Sequence, residues 1–206
     1  HLGGGGDRFP QDLGELAAYF QPGGPGNGVH AVPGEGLGVP IWLLGSSDYS
    51  ARLAAERGLP FAFASHFAPD YLHEALALYR RHFEPSEGLD RPRVMVAANV
   101  FAAGTGAEAR RLFTSAQQQF LNLVRGTPDL LPPPVASMDR LWLPHERAHV
   151  ERMTRCSAVG GPEAVRRWLE QFVAETRADE LILAGQIYDH AARLRSFEIA
   201  AEVVTG

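Results

Sequence analysis

The sequence contains no lysine, a single cysteine and no hydrophobic run long enough to cross a membrane. All 19 basic residues are arginines, which excludes Schiff-base chemistry, a lysine nucleophile and the lysine of a phosphate-binding P-loop. The lone Cys156 excludes an internal disulfide and a multi-cysteine metal site, and we expect it to be an inert core residue. These features predict a cytoplasmic protein without a membrane partner.

The charge balance and the length of the chain bear on its binding partners and its domain organisation. A net charge of −5 gives no support for binding nucleic acid or an acidic membrane, so we expect no nucleic-acid partner. A chain of 206 residues can bury a sizeable core in one domain. The glycine run after His1 is not a signal peptide, and the missing initiator Met leads us to expect a part of a longer protein.

Short apolar segments alternate with amphipathic ones along most of the chain, which predicts a parallel sheet covered by helices. We count four main βα units, with a proline-rich excursion after the third. The predicted strands are 41–44, 61–64, 93–101, 157–159 and 181–183, and the predicted helices are 9–20, 50–57, 70–83, 107–124, 144–154, 162–176 and 189–204.

The first strand-to-helix turn, Gly45 to Ser50, reads Gly-Ser-Ser-Asp-Tyr-Ser. Small hydroxyl residues at a helix start, with free backbone N–H groups and the positive end of the helix dipole, are typical of an anion site. The same residue types also serve as an ordinary serine N-cap without any ligand. From spacing alone, both interpretations stay open.

Several stretches of this sequence carry a resemblance to a known family. They are residues 39–47 (VPIWLLGSS), 58–67 (GLPFAFASHF), 159–163 (VGGPE), 178–182 (ADELI) and 187–196 (IYDHAARLRS). With these residues the chain resembles the luciferase-like, flavin-dependent monooxygenases, and most closely the bacterial luciferase-like oxidoreductases.

The resemblance implies an α/β fold of the (β/α)8 TIM-barrel type, with flavin lying across the carboxyl ends of the strands. Residues 1–206 look like the C-terminal half of such a barrel domain. The strands at 41–44, 61–64, 93–101 and 181–183 then look like the fifth to eighth strands. Residues 1–38 form a lead-in helix with a Gly/Pro-rich loop, residues 126–158 an insertion region, and the first four units have no counterpart.

The resemblance also implies a function. Members of the family use reduced FMN, supplied by a separate flavin reductase, to oxidise a small organic substrate with dioxygen. FMN is the expected cofactor, deazaflavin F420 is the less favoured one, and a homodimer is usual. The alternative is a non-catalytic half-barrel that self-associates or binds flavin weakly, because a half-barrel exposes edge strands and an apolar face.

Site residues follow from the same resemblance, and no catalytic acid or base is among them. The cofactor-binding candidates are Gly45, Ser46, Ser47, Ser50 and Ser65, and the substrate-pocket candidates are His66, Tyr188 and His190. His66 is alternatively a loop histidine bonded to the backbone. Tyr188 and His190 are alternatively packing residues beside an Asp189 that caps the last helix.

One further motif, His145-Glu146-Arg147-Ala148-His149, matches the helical pattern of zinc peptidases. It needs a third ligand, for which Glu163, Glu170 and Glu175 are candidates. A five-residue match arises easily by chance in a chain with eight histidines. We therefore favour a solvated helix face and expect no metal.

Overall fold

The structure is a computed structural model that describes residues 5–24, 26 and 28–205. Two compact units divide the chain, His1–Leu43 and Leu44–Gly206. In the first unit, helix α1 (Gly5–Tyr19) begins four residues before the predicted start and is followed by turns. Residues 1–4, which include the first two glycines of the run Gly3–Gly6, lie outside the described residues.

The second unit contains the predicted alternation of strands and helices. Its strands are β1 (Leu43–Gly45, which begins at the last residue of the first unit), β2 (Phe61–Phe63), β3 (Val94–Ala102), β4 (Ser157–Gly160) and β5 (Glu180–Ala184). Its helices are α2 (Asp48–Glu56), α3 (Leu72–His82), α4 (Gly106–Val124), α5 (Pro144–Met153), α6 (Pro162–Thr176) and α7 (His190–Thr205). Each predicted element is present, with boundaries that differ by a few residues. None of the described helices is both long and apolar enough to span a membrane.

Strand β3 is the centre of a five-stranded sheet. It pairs in parallel with β2 through Val94–Val96, with β4 through Asn99–Ala102, and with β5 through Met95–Asn99. Because β5 overlaps both other partners along β3, β2 and β4 must lie end to end on the opposite edge of β3. Strand β1 pairs with β2, and the amide of Ala64 donates to the carbonyl of Gly45 at 3.0 Å.

Helices pack on both faces of β3 because this strand is apolar on both sides. On one face, Val100 and Ala102 of β3 pack with Val165 of α6 and Ile199 of α7. On the other face, Phe101 and Ala103 pack with Ala109, Leu112 and Ala116 of α4. The parallel α/β fold expected from the sequence is therefore confirmed.

The proline-rich segment between α4 and α5 contains no helix or strand from Gly126 to Leu143, as predicted. It returns against α4, where Met138 is buried together with Phe120, Leu121 and Val150. Thr114 of α4 fixes the segment, since its Oγ1 accepts the amide proton of Val135 at 2.8 Å. The excursion is thus a packed part of the second unit.

Candidate functional site

The turn from β1 to α2 presents two serine hydroxyls that have no hydrogen-bond partner among the described residues. Ser47 occupies the N-cap position with extended backbone, yet its side chain makes no capping hydrogen bond. Ser46 is half-buried and Ser47 is exposed. The first amides of α2 point toward the same end of the helix. The turn therefore combines free donors with the positive end of a helix dipole, as an anion site requires.

Ser50 and Gly45 determine the backbone shape of this turn. Ser50 is buried, and its hydroxyl donates to the carbonyl of Ser47 at 3.0 Å. A Cβ added to Gly45 would lie 2.0 Å from Ser50 Oγ and 2.4 Å from Ser50 Cβ. Position 45 must be glycine because Ser50 fills the space where any side chain would begin. Gly45 and Ser50 therefore fix the backbone of the turn, and the hydroxyl of Ser50 is already used in the hydrogen bond to Ser47.

Ser65 supports the neighbouring strand end. Its side chain is fully buried, and its hydroxyl donates to the carbonyl of Ala97 in β3. No part of Ser65 is exposed, and its hydroxyl ties the end of β2 to β3. A direct contact of Ser65 with flavin stays a prediction.

His66 lies directly after this serine. Its backbone carbonyl accepts a hydrogen bond from Asn99 Nδ2 at 2.8 Å. Its imidazole Nδ1 is buried and has no hydrogen-bond partner within the described part of the chain. Desolvation by burial lowers the pKa of His66 below its usual value of 6.5, so the ring is neutral at pH 7. A neutral, half-buried imidazole suits the wall of a pocket.

The residues after β5 separate into capping and exposed positions. Asp189 Oδ1 accepts the amide proton of Ala192 at 2.8 Å, so the predicted cap of the last helix is confirmed. Tyr188 is 56% exposed. His190 is exposed, and its Nδ1 lies 3.0 Å from Nη2 of Arg193. Of the two pocket candidates here, only Tyr188 retains a ring without a described hydrogen-bond partner.

The parallel strands bring their carboxyl ends to one edge of the sheet, which is where ligands bind in such folds. The Ala64–Gly45 hydrogen bond joins the turn after β1 to the end of β2. Asn99 joins His66 to the middle of β3 and pairs in register with Ala184 of β5. Asn99 is not among the residues predicted from the sequence, although a single amide inside an otherwise apolar strand is a visible signal.

The zinc-peptidase motif has a different structural role. Glu146 is buried and accepts two hydrogen bonds from Arg125, each 2.8 Å long, and one from the amide of Leu143 at 2.7 Å. These hydrogen bonds lower the pKa of Glu146 to about 2, and those from Arg125 have the largest effect. Both His145 and His149 are exposed. In the described part of the chain, no three metal-binding side chains are grouped to hold an ion.

Comparisons with known proteins decide the family. The sequence model of the family described as luciferase-like monooxygenase matches residues 15–180. The chain belongs to the luciferase-like monooxygenase family. The resemblance proposed from the sequence is therefore confirmed.

Individual relatives of this luciferase-like chain support the same family assignment. A luciferase-like monooxygenase from Escherichia coli strain K12 is 50% identical over 203 residues, covering 98% of this chain and 61% of that protein. The uncharacterised protein YvbT of Bacillus subtilis is 53% identical over 199 residues, covering 96% of this chain and 59% of that protein. The crystal structure of apo-MsnO8 superposes with a TM-score of 0.84 at 32% identity, covering 97% of this chain and 60% of that one. The chain thus spans only 59–61% of these proteins.

Proposed function

We propose that this luciferase-like chain contributes the phosphate-binding part of a flavin-dependent monooxygenase. The enzyme would use reduced FMN and dioxygen to oxidise a small organic substrate. The observation that carries the proposal is the pair of hydroxyls of Ser46 and Ser47 at the start of α2, which have no partner among the described residues, in a chain of this family. Because these proteins extend beyond the part that this chain matches, the proposal concerns the complete protein.

The FMN phosphate would bind at the turn after β1. Ser46 and Ser47 would donate through their hydroxyls, and the first amides of α2 would donate through the backbone. Gly45 and Ser50 would keep the turn in its shape. Asp48 is exposed at the first helical position and would have to turn its carboxylate away from the phosphate.

The flavin ring would lie over the carboxyl ends of the strands. Bound FMN supplies the reaction with dioxygen, and the side chains of this chain position the ring and exclude water. His66 would form a neutral wall of the pocket and Tyr188 an exposed rim, with His190 farther out. A neutral imidazole at this place can accept or donate a single hydrogen bond without adding charge to the pocket.

We also propose that β1, β2, β3 and β5 correspond to the fifth to eighth strands of a TIM barrel. A homodimer and a separate flavin reductase would complete the working enzyme in the cytoplasm.

Two observations favour the second candidate, a non-catalytic half-barrel that self-associates. Leu44 in β1 is 65% exposed, and Ile182 in β5 is 48% exposed. Exposed apolar side chains on strands favour association with another chain that would bury them.

An FMN titration of the purified chain tests the proposal. Oxidised FMN would be titrated in air with flavin fluorescence as the readout, and reduced FMN would be titrated anaerobically with calorimetry as the readout. The variant Ser46→Ala with Ser47→Ala should weaken binding about tenfold or more, since it removes hydrogen bonds to a charged group. Ser137→Ala, at an exposed serine of the excursion, is the matched control.

Two results would contradict this. Equal FMN affinity of the double variant and the control would remove the phosphate role of the turn. Failure of the native chain to bind FMN at all, together with a dimer in sedimentation analysis, would favour the self-associating half-barrel. The far-ultraviolet circular-dichroism spectrum should be the same in all variants, which separates lost binding from lost folding.

A further inference from the structure

A cleft of the second unit lies between α4, the excursion and α5, with a volume of ≈580 Å³. None of its lining residues belongs to the turn after β1 or to the proposed flavin pocket. Its volume lies within the range that small organic ligands fill in proteins. The side chains that matter for its chemistry are Arg110, Arg111, Phe113, Gln117, Trp142 and Arg147.

The cleft carries an excess of positive charge. Three arginines and two carboxylates line it, and both carboxylates already have partners. Glu151 binds Arg147 Nε at 2.8 Å, and Asp139 accepts from Ser137 Oγ at 2.7 Å. Within the described residues, neither Arg110 nor Arg111 pairs with a carboxylate. Two guanidinium groups are therefore available to an anion in a protein whose net charge is −5.

Two aromatic side chains also line the cleft, Phe113 on α4 and Trp142 near the end of the excursion. The indole of Trp142 is half-buried, and the guanidinium carbon of Arg147 lies 5.8 Å from its ring centroid. Phe113 packs against Phe101 of β3 with ring centroids 4.8 Å apart, which holds its ring in place. A planar ligand can contact these aromatic faces while its charged group reaches the free arginines.

The walls of the cleft are formed before any ligand binds. Thr114 Oγ1 donates to the carbonyl of Arg111 at 2.7 Å and accepts the amide proton of Val135 at 2.8 Å. Met138 is buried beside α4 and α5. These contacts fix the excursion relative to α4, so little ordering entropy opposes binding.

We propose that this cleft binds an organic anion in which a carboxylate, sulfonate or phosphate is attached to a flat hydrophobic ring. Arg110 and Arg111 bind the anionic group, and Trp142 with Phe113 contacts the ring. This site is separate from the proposed flavin site and does not depend on it.

Isothermal titration calorimetry of the full chain at low salt tests the proposal with three probes. Naphthalene-2-sulfonate carries both parts of the ligand, neutral 2-naphthol carries only the ring, and inorganic sulfate carries only the charge. We expect the sulfonate to bind at least tenfold more tightly than either of the others. The variant Arg110→Gln with Arg111→Gln should weaken sulfonate binding about tenfold or more. Arg140→Gln, an exposed arginine outside the lining, should not.

A second variant keeps the test independent of the arginines. Trp142→Leu retains every cation, so it should weaken sulfonate binding and leave sulfate unaffected. Equal affinity for the three probes, or the same affinity in the double arginine variant and the Arg140 control, would overturn the proposal. FMN affinity should not change in any of these variants, so failure of the flavin proposal is recognised separately.

Discussion

The contact between Gly45 and Ser50 supports a quantitative prediction about the proposed phosphate turn. In Gly45→Ala the new methyl group would overlap both Cβ and Oγ of Ser50. The closest atom beyond these two is Ser50 Cα at 3.9 Å, which is an ordinary contact distance. The cost of the substitution therefore arises from the side chain of Ser50 alone.

The magnitudes follow from this geometry. Overpacking of this kind lowers the free energy of unfolding by about 1–3 kcal/mol. Ser50→Gly removes both overlapping atoms, but it also removes the hydrogen bond to Ser47 and places glycine in a helix, which together cost about 1–2 kcal/mol. If the effects were additive, the double variant would lose about 2–5 kcal/mol. We expect it instead to lose no more than Ser50→Gly does alone.

Urea unfolding followed by circular dichroism measures all four proteins of this double-mutant cycle. For a chain of this size, each 1 kcal/mol corresponds to a shift in Tm of about 2–4 °C, which gives an independent check. Ser50→Ala provides a graded control, because it removes Oγ and keeps the Cβ that would lie 2.4 Å away. Combined with Gly45→Ala, it should relieve only part of the overlap with the new methyl group.

The same variants report on the site. Gly45→Ala should weaken FMN binding because it displaces the turn, and the addition of Ser50→Gly should restore part of that affinity. A fully additive cycle, or a Gly45→Ala variant as stable as the native chain, would refute the conclusion that Ser50 leaves no room for a Cβ at position 45. The backbone of this turn would then tolerate the methyl group by moving, and Gly45 would have no structural role.

Three further predictions concern buried polar groups. Because the pKa of Glu146 is lowered to about 2, its pairing with Arg125 stabilises the fold above about pH 4.5 and loses that contribution as the pH falls toward 2; Glu146→Gln should reduce the acid sensitivity of Tm. Asn99→Ala should free the carbonyl of His66 and lower Tm by about 2–4 °C, and it should weaken FMN binding without changing the circular-dichroism spectrum. Burial raises the pKa of Cys156 to about 11, so iodoacetamide should label it at pH 7.5 only after unfolding, as mass spectrometry would show; rapid labelling of the folded chain would contradict this.

Local patterns predicted most of the fold. The apolar runs at β2 and β3 and the proline-rich break after α4 were readable because they follow from burial and backbone chemistry within a few residues. The aspartate cap at Asp189 was readable for the same reason. The family followed from motifs distributed along the whole chain, and the match to residues 15–180 confirmed it.

The sequence by itself determined the order of the elements, the family and the location of the serine turn that we propose to bind phosphate, because each depends on neighbouring residues. Only the tertiary structure decided which hydroxyls are free. Ser50 and Ser65 have the same chemistry as Ser46, but contacts with Ser47 and Ala97 use their hydroxyl protons. It likewise brought Arg125 to Glu146, 21 positions away, which gave the glutamate of the zinc-peptidase motif a structural role. Ser65 and Ala97 are 32 positions apart and Arg125 and Glu146 are 21 apart, so folding alone brings these partners together.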